Sequence, residues 1–181
     1  MALSVAIAAI LGAYIGQLTL NEHARNLSLA IQDANRVIEQ LRQQNVTSLA
    51  VSTCAQAGVP TALPPAPYTL VTEWDAWLDS TAGGGGRGKS IYPDPTPGVN
   101  EPHELVTVTC QDRDGTITPC PAGANPIRIT VAVCWRHRNR TIGECAWNGT
   151  SLSADENVPM PSDDSNVIQS PAMLTTLVTC R

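Results

Sequence analysis

Residues 1–45, MALSVAIAAILGAYIGQLTLNEHARNLSLAIQDANRVIEQLRQQN, decide the fold of this chain. Residues 1–20 carry no charged side chain; residues 21–45 are polar but continue an apolar stripe of Leu20, Leu27, Ile31, Ala34, Ile38 and Leu41. Steps built from three and four place that stripe on one helical face. No proline precedes Pro60, and Gly12 and Gly16 are the only glycines in the stretch, so nothing forbids one continuous helix. At about 1.5 Å per residue the uncharged segment reaches about 30 Å, the thickness of a bilayer core. Nothing basic precedes the apolar run and the helical pattern carries on past it, unlike a cleaved secretory signal. The expectation is therefore a helix over residues 1–50, apolar in its first half and amphipathic in its second, that stays attached to a head domain over residues 51–181.

The chain has 181 residues and a net charge of −5. The part beyond the helix is long enough for one modest domain with a core. The acidic balance argues against nucleic acid or anionic lipid as a main partner. With no Phe and a single lysine, Lys89, but many Thr, Val, Pro and Gly, the head predicts short strands and turns. All six cysteines, Cys54, Cys110, Cys120, Cys134, Cys145 and Cys180, follow the uncharged segment. An even count there favours three disulfides in an oxidising compartment. Many pairings are open; sequence proximity favours Cys110–Cys120 and Cys134–Cys145, leaving Cys54–Cys180 to tie the helix exit to the C-terminus. Buried free thiols are the alternative. A zinc site is disfavoured, because there is no C-x-x-C and His103 and His137 form no ligand-like pair.

Along the head, the helix ends near Asn45 or a turn later, and residues 58–67, GVPTALPPAP, form a proline-rich connector. Residues 68–78 read as a strand followed by a short helical turn, with Trp74 and Trp77 covering the core. Residues 79–102 read as a Gly- and Pro-rich loop. Residues 104–111, ELVTVTCQ, alternate and run into the turn sequence Asp112-Arg113-Asp114-Gly115, from which residues 116–120 return. Residues 127–135, IRITVAVCW, are the strongest strand, with Ile127, Ile129, Val131 and Val133 on one face. After a charged turn containing His137, residues 141–147 pair back as a hairpin. Residues 148–171 read as a second polar loop, and residues 173–180 as a final strand. The fold class expected is α+β: a long helix packed on an antiparallel, disulfide-bonded sheet.

Several motifs carry little. Residues 83–90, GGGGRGKS, match the P-loop pattern, yet Pro93, Pro95 and Pro97 forbid the helix that pattern needs to aim its N–H groups at phosphate. Asp75, Asp79, Asp155, Glu156, Asp163 and Asp164 lack the spacing of a calcium loop. No Ser/His/Asp or Cys/His set is recognisable, so the chain is expected to be no enzyme and to need no cofactor or metal. Asn26, Asn45, Asn139 and Asn148 head short N-x-[ST] sequons, which arise readily by chance.

The layout resembles the type IV pilin superfamily, including minor pilins and the pseudopilins of type II secretion. The resemblance covers the long helix, the loop, the antiparallel sheet and the late cysteines. Its most specific elements are residues 24–42, ARNLSLAIQDANRVIEQLR, with Glu39-Gln40-Leu41-Arg42 at its end, then ITVAVCW and the C-terminal PAMLTTLVTCR. It implies a structural subunit of a type IV pilus or pseudopilus, anchored in the inner membrane as a precursor and then built into an extracellular filament. Its partners would be copies of itself or other pilins, with any receptor contact on the head. In that reading Ala2, Leu3, Val5, Ile7, Ile10, Leu11, Gly12, Tyr14, Ile15, Gly16, Leu18 and Leu20 line the membrane or filament core, and Gly12 and Gly16 permit close helix approach. Leu27, Ile31, Ala34, Ile38 and Leu41 pack the helix on the head. The chain departs from the family in having neither a basic leader ending in Gly nor the early registration glutamate; Ser4 and Val5 stand near its place. Two explanations compete: a divergent member that docks without the glutamate, or, favoured by the helix length, a sequence that starts inside the mature helix. The competing function, from another class, is a monomeric membrane-anchored extracytoplasmic binding module.

Overall fold

The computed structural model describes residues 2–46, 52–84, 91, 104–118, 120, 124–137, 139–154 and 167–180. One helix, α1 (Ala2–Gln44), precedes the rest. Short helices α2 (Thr53–Ala57), α3 (Trp74–Asp79) and α4 (Thr81–Gly84) lie in the connector region, with a single 3-10 turn at Val71–Glu73 leading into α3. Seven strands follow among the described residues: β1 (Glu104–Gln111), β2 (Ile117–Thr118), β3 (Ile127–His137), β4 (Arg140–Ile142), β5 (Cys145–Trp147), β6 (Leu152–Ala154) and β7 (Ala172–Val178). Among the described residues the architecture is α+β, a long helix on an antiparallel sheet with three disulfides.

The sheet is organised by β3. It pairs along one edge with β1, Val106 opposite Val133 and Val108 opposite Val131. Its other edge takes β7 at residues 127–133 and β4 at residues 135–137. Period-two alternation then sends Ile127, Ile129, Val131, Val133 and Trp135 to the face that meets α1, where all are buried. α1 runs antiparallel to β3 across that face: Asn26 meets His137 near the end of β3, while Arg42 reaches Thr176, whose partner is Ile129. Trp74 and Trp77 close the side of this core edge to face, ring centroids 5.2 Å apart. The opposite face of β3 is also covered over half its length. Ala132 and Cys134 pack with Cys145, Leu152 and Ile168 into a second, smaller cluster.

Several local expectations are corrected. Residues 68–72 form no strand, because the Glu73 carboxylate accepts the N–H groups of Thr69 and Leu70 (both 2.7 Å) and turns the chain into the helix instead. Residues 141–147 do not make one hairpin with β3. Only Arg140–Ile142 pairs there; the chain breaks at Gly143 and β5 joins β6 in a separate two-stranded sheet. Gly143 has φ 98°, and a Cβ at that position would stand 2.7 Å from Cys134 Sγ, so glycine alone fits the turn. Glu144 then exchanges backbone and side-chain hydrogen bonds with Gln169, and the Cys134–Cys145 bridge holds the strand over the outer face. The loop expected over residues 148–171 therefore contains β6 and the buried Val167 and Ile168, and that over residues 79–102 begins with the last residue of α3 and all of α4. His137 is the final residue of β3 rather than part of a turn.

Candidate functional site

The first half of α1 stands clear of the head. Ser4, residues 6–18 and Leu20 are exposed, and the bulky apolar side chains Ile7, Ile10, Leu11, Tyr14, Ile15, Leu18 and Leu20 keep 44% to 69% of their surface in solvent. At about 100° per residue, Ile7, Ile10, Leu11, Tyr14, Ile15 and Leu18 share one face, at intervals of three and four. Roughly opposite lie Ala9, Gly12, Ala13 and Gly16, and a Cβ added at either glycine would meet nothing within 4 Å. One helix thus presents a ridge on one side and a shallow, small-residue face on the other. Met1 and the side chains of Ala2, Leu3 and Val5 lie outside the described residues. Among the described residues no helix is long and apolar enough to cross a membrane.

The head begins to cover α1 at His23, beside Trp135, and at the buried Asn26. From there the covered positions are Ala30, Asp33, Ala34, Val37, Ile38, Leu41 and Asn45. Of the residues expected to pack the helix on the head, Ala34, Ile38 and Leu41 are buried, and Leu27 and Ile31 are partly buried against the same core. Leu20, expected to open this stripe, is exposed because the sheet ends before reaching it. Sequence periodicity passed over Ala30 and Val37, each fully buried, and three buried polar residues.

Those three hold the seam. Asn26 Nδ2 lies 3.3 Å from His137 Nδ1, and Glu22 Oε2 lies 3.9 Å from the other ring nitrogen. Asp33, paired with Arg36 at 3.1 Å, faces Glu104 on β1. Burial first, and then the charge of Asp33, hold the Glu104 carboxyl well above the ordinary glutamate value; a hydrogen bond to Asp33 and the charge of Asp75 add to the rise, while the Ile91 N–H donating to Glu104 Oε2 opposes it. The rise lets Glu104 stay protonated to higher pH than an ordinary glutamate, and the protonated carboxyl can donate toward Asp33, joining helix to sheet. At the far end Asn45 clamps the connector: its amide donates to Leu41 O and Thr61 O (2.7 and 2.8 Å) and accepts the Thr61 N–H (2.7 Å).

The three disulfides are Cys54–Cys180, Cys110–Cys120 and Cys134–Cys145, the pairing favoured by spacing, with Cα–Cα distances of 5.2, 5.8 and 6.2 Å. Asn26 and Asn45 are buried, so their sequons are closed in the folded chain, whereas Asn139 and Asn148 are exposed. In the P-loop-like run Gly83 and Gly84 belong to α4, and residues 85–90 lie outside the described residues, as do His103, Asp155, Glu156, Asp163 and Asp164. Among the described residues no group of His, Cys, Asp and Glu has the geometry to hold a metal ion. Comparison with family models, with curated proteins and with solved structures finds no match to this chain.

Proposed function

We propose that this chain is a structural subunit of a type IV pilus or a type II secretion pseudopilus, polymerising through the first half of α1 with copies of itself or with other pilins. The observation that carries the reading is the contrast along one helix: bulky apolar side chains exposed through residues 7–20, and a stripe sheathed by the head from Asn26 onward. Water-exposed apolar surface of this extent calls for a partner. The ridge of Ile7, Leu11, Tyr14 and Leu18 complements the face of Ala9, Gly12, Ala13 and Gly16, and two different faces that fit each other make a head-to-tail contact. Such a contact builds a ring or, where the rotation does not close, an open helical polymer rather than an isologous dimer. Relative to water, burying the ridge is favourable by about 25 cal/mol per Å² of apolar surface. Relative to lipid the gain is far smaller, so close packing at Gly12 and Gly16 governs association there.

In this reading the precursor associates with the inner membrane through residues 1–20, although α1 is not apolar enough over its described length to cross it alone, and the disulfide-bonded head lies on the oxidising side. The role is mechanical, with no catalysis, cofactor or nucleic acid involved. Negative-stain microscopy of sheared surface material from cells making an epitope-tagged chain tests it. Thin filaments that carry the tag are expected. A tagged chain that stays behind as a monomer in the membrane fraction would replace this reading with an anchored extracytoplasmic binding module.

A further inference from the structure

At the end of the head farthest from the exposed helix, the last turns of α1 and the connector border an open cleft of about 500 Å³. From α1 come the amides of Gln40, Gln43 and Gln44; from the segment that follows come the hydroxyls of Ser52, Thr53 and Thr61. Pro64, Pro65 and Tyr68 add flat apolar surface. Among the described residues no Asp, Glu, Lys, Arg or His lines the cavity. Gln40 and Gln43 also border a second depression, of about 380 Å³, that reaches Trp77. The Trp77 indole N–H is buried without a hydrogen-bond partner among the described residues. Ligand pockets commonly hold about 300–1,000 Å³, so the first cavity alone is of ligand size.

The walls are held in advance. Thr61 is clamped by Asn45 and accepts the Leu63 N–H at 3.2 Å, the Trp74 indole donates to Ala62 O at 2.9 Å, and the Tyr68 hydroxyl donates to Ala76 O at 3.2 Å. Cys54, within α2, is bridged to Cys180. A preformed wall spares a ligand the cost of ordering it.

We propose that this cleft binds a short neutral saccharide. Amide and hydroxyl side chains both donate and accept, as sugar hydroxyls do. With no charged side chain among the described lining residues, a buried phosphate or carboxylate would go uncompensated, which disfavours anionic ligands. A peptide is a poorer match: α1 satisfies its own backbone, and Pro64 and Pro65 have no N–H to offer a main chain. The negative face of the Tyr68 ring suits the polarised C–H face of a pyranose. From His23 to Gln44 the helix rises by about 30 Å, so the cleft lies well away from residues 7–20. It binds its ligand whether or not the chain polymerises.

Saturation-transfer NMR on the full chain, held in a detergent without a sugar headgroup, tests the proposal with cellobiose and N,N′-diacetylchitobiose as probes. Transfer to the ring protons of at least one is expected. Gln43→Ala and Thr53→Ala, both at exposed positions, should each weaken binding several-fold with an unchanged near-ultraviolet spectrum. Thr175→Ala, on the other face of the sheet, should leave binding as it was. The proposal is overturned if neither disaccharide binds, if a digalacturonate binds as well as they do, or if a neutral proline-rich hexapeptide binds in their place. It is equally overturned if both cleft substitutions leave binding intact.

Discussion

Glu104 sits on a strand that reads as ordinary alternation, yet it is one of the largest fully buried side chains in the head. Its carboxyl faces Asp33 from α1 and Asp75 from α3, with Arg36 paired to Asp33. Between the ordinary glutamate value of 4.5 and its raised value, folded Glu104 holds a proton that the unfolded chain has released. Stability contributed by this group is thus present in acid and lost as pH rises through that window. Glu104→Gln keeps an acceptor for the Ile91 N–H and a donor toward Asp33 but cannot ionise. Its melting temperature should exceed that of the parent in neutral and alkaline buffer, and the two should converge below pH 4.5. A variant that melts lower at every pH would show that the protonated pair is not the stable state. Asn26, Asp33 and Asn45 teach the same lesson about reading a stripe. In sequence they look solvated, and only the distant partners His137, Glu104 and Thr61 make their burial tolerable.

At the scale of elements, α1 divides into two halves with opposite sensitivities. Leu41 is fully buried between helix and sheet, and Leu41→Ala should cost about 2–5 kcal/mol in denaturant unfolding through the cavity it leaves. Ile10 is 68% exposed, so Ile10→Asp should leave the unfolding midpoint of the head within about 0.5 kcal/mol of the parent. In the filament reading, the same substitution buries a charge among apolar helices and should abolish filaments in sheared preparations. Filaments that persist in Ile10→Asp would remove this face from the assembly surface. Among the strands, β1, β3 and β7 were legible because alternation marks a sheet with a buried face. β5 and β6 were not. Their three-residue lengths give alternation too little room, and their place depends on the break at Gly143 and the pull of Cys134 on Cys145.

For the whole molecule, the disulfides differ chiefly in how much chain they close. Cys54–Cys180 spans 126 positions and Cys110–Cys120 spans 10. Loop-closure entropy alone assigns them about 5 and about 3 kcal/mol. Replacing Cys54 and Cys180 by Ser should therefore lower the unfolding midpoint more than replacing Cys110 and Cys120. The reverse order would mean that local packing outweighs chain entropy here. Sequence by itself determined the long helix, the main strands, the α+β class and the favoured cysteine pairing, because propensity, period and spacing are local properties. Only the tertiary structure decided where the head takes hold of α1, which polar side chains it buries, and that Gln40 and Gln43 meet Thr53 and Tyr68 across a cleft. Those outcomes depend on which surfaces meet, and a polar residue reads the same in sequence whether water or a distant partner satisfies it.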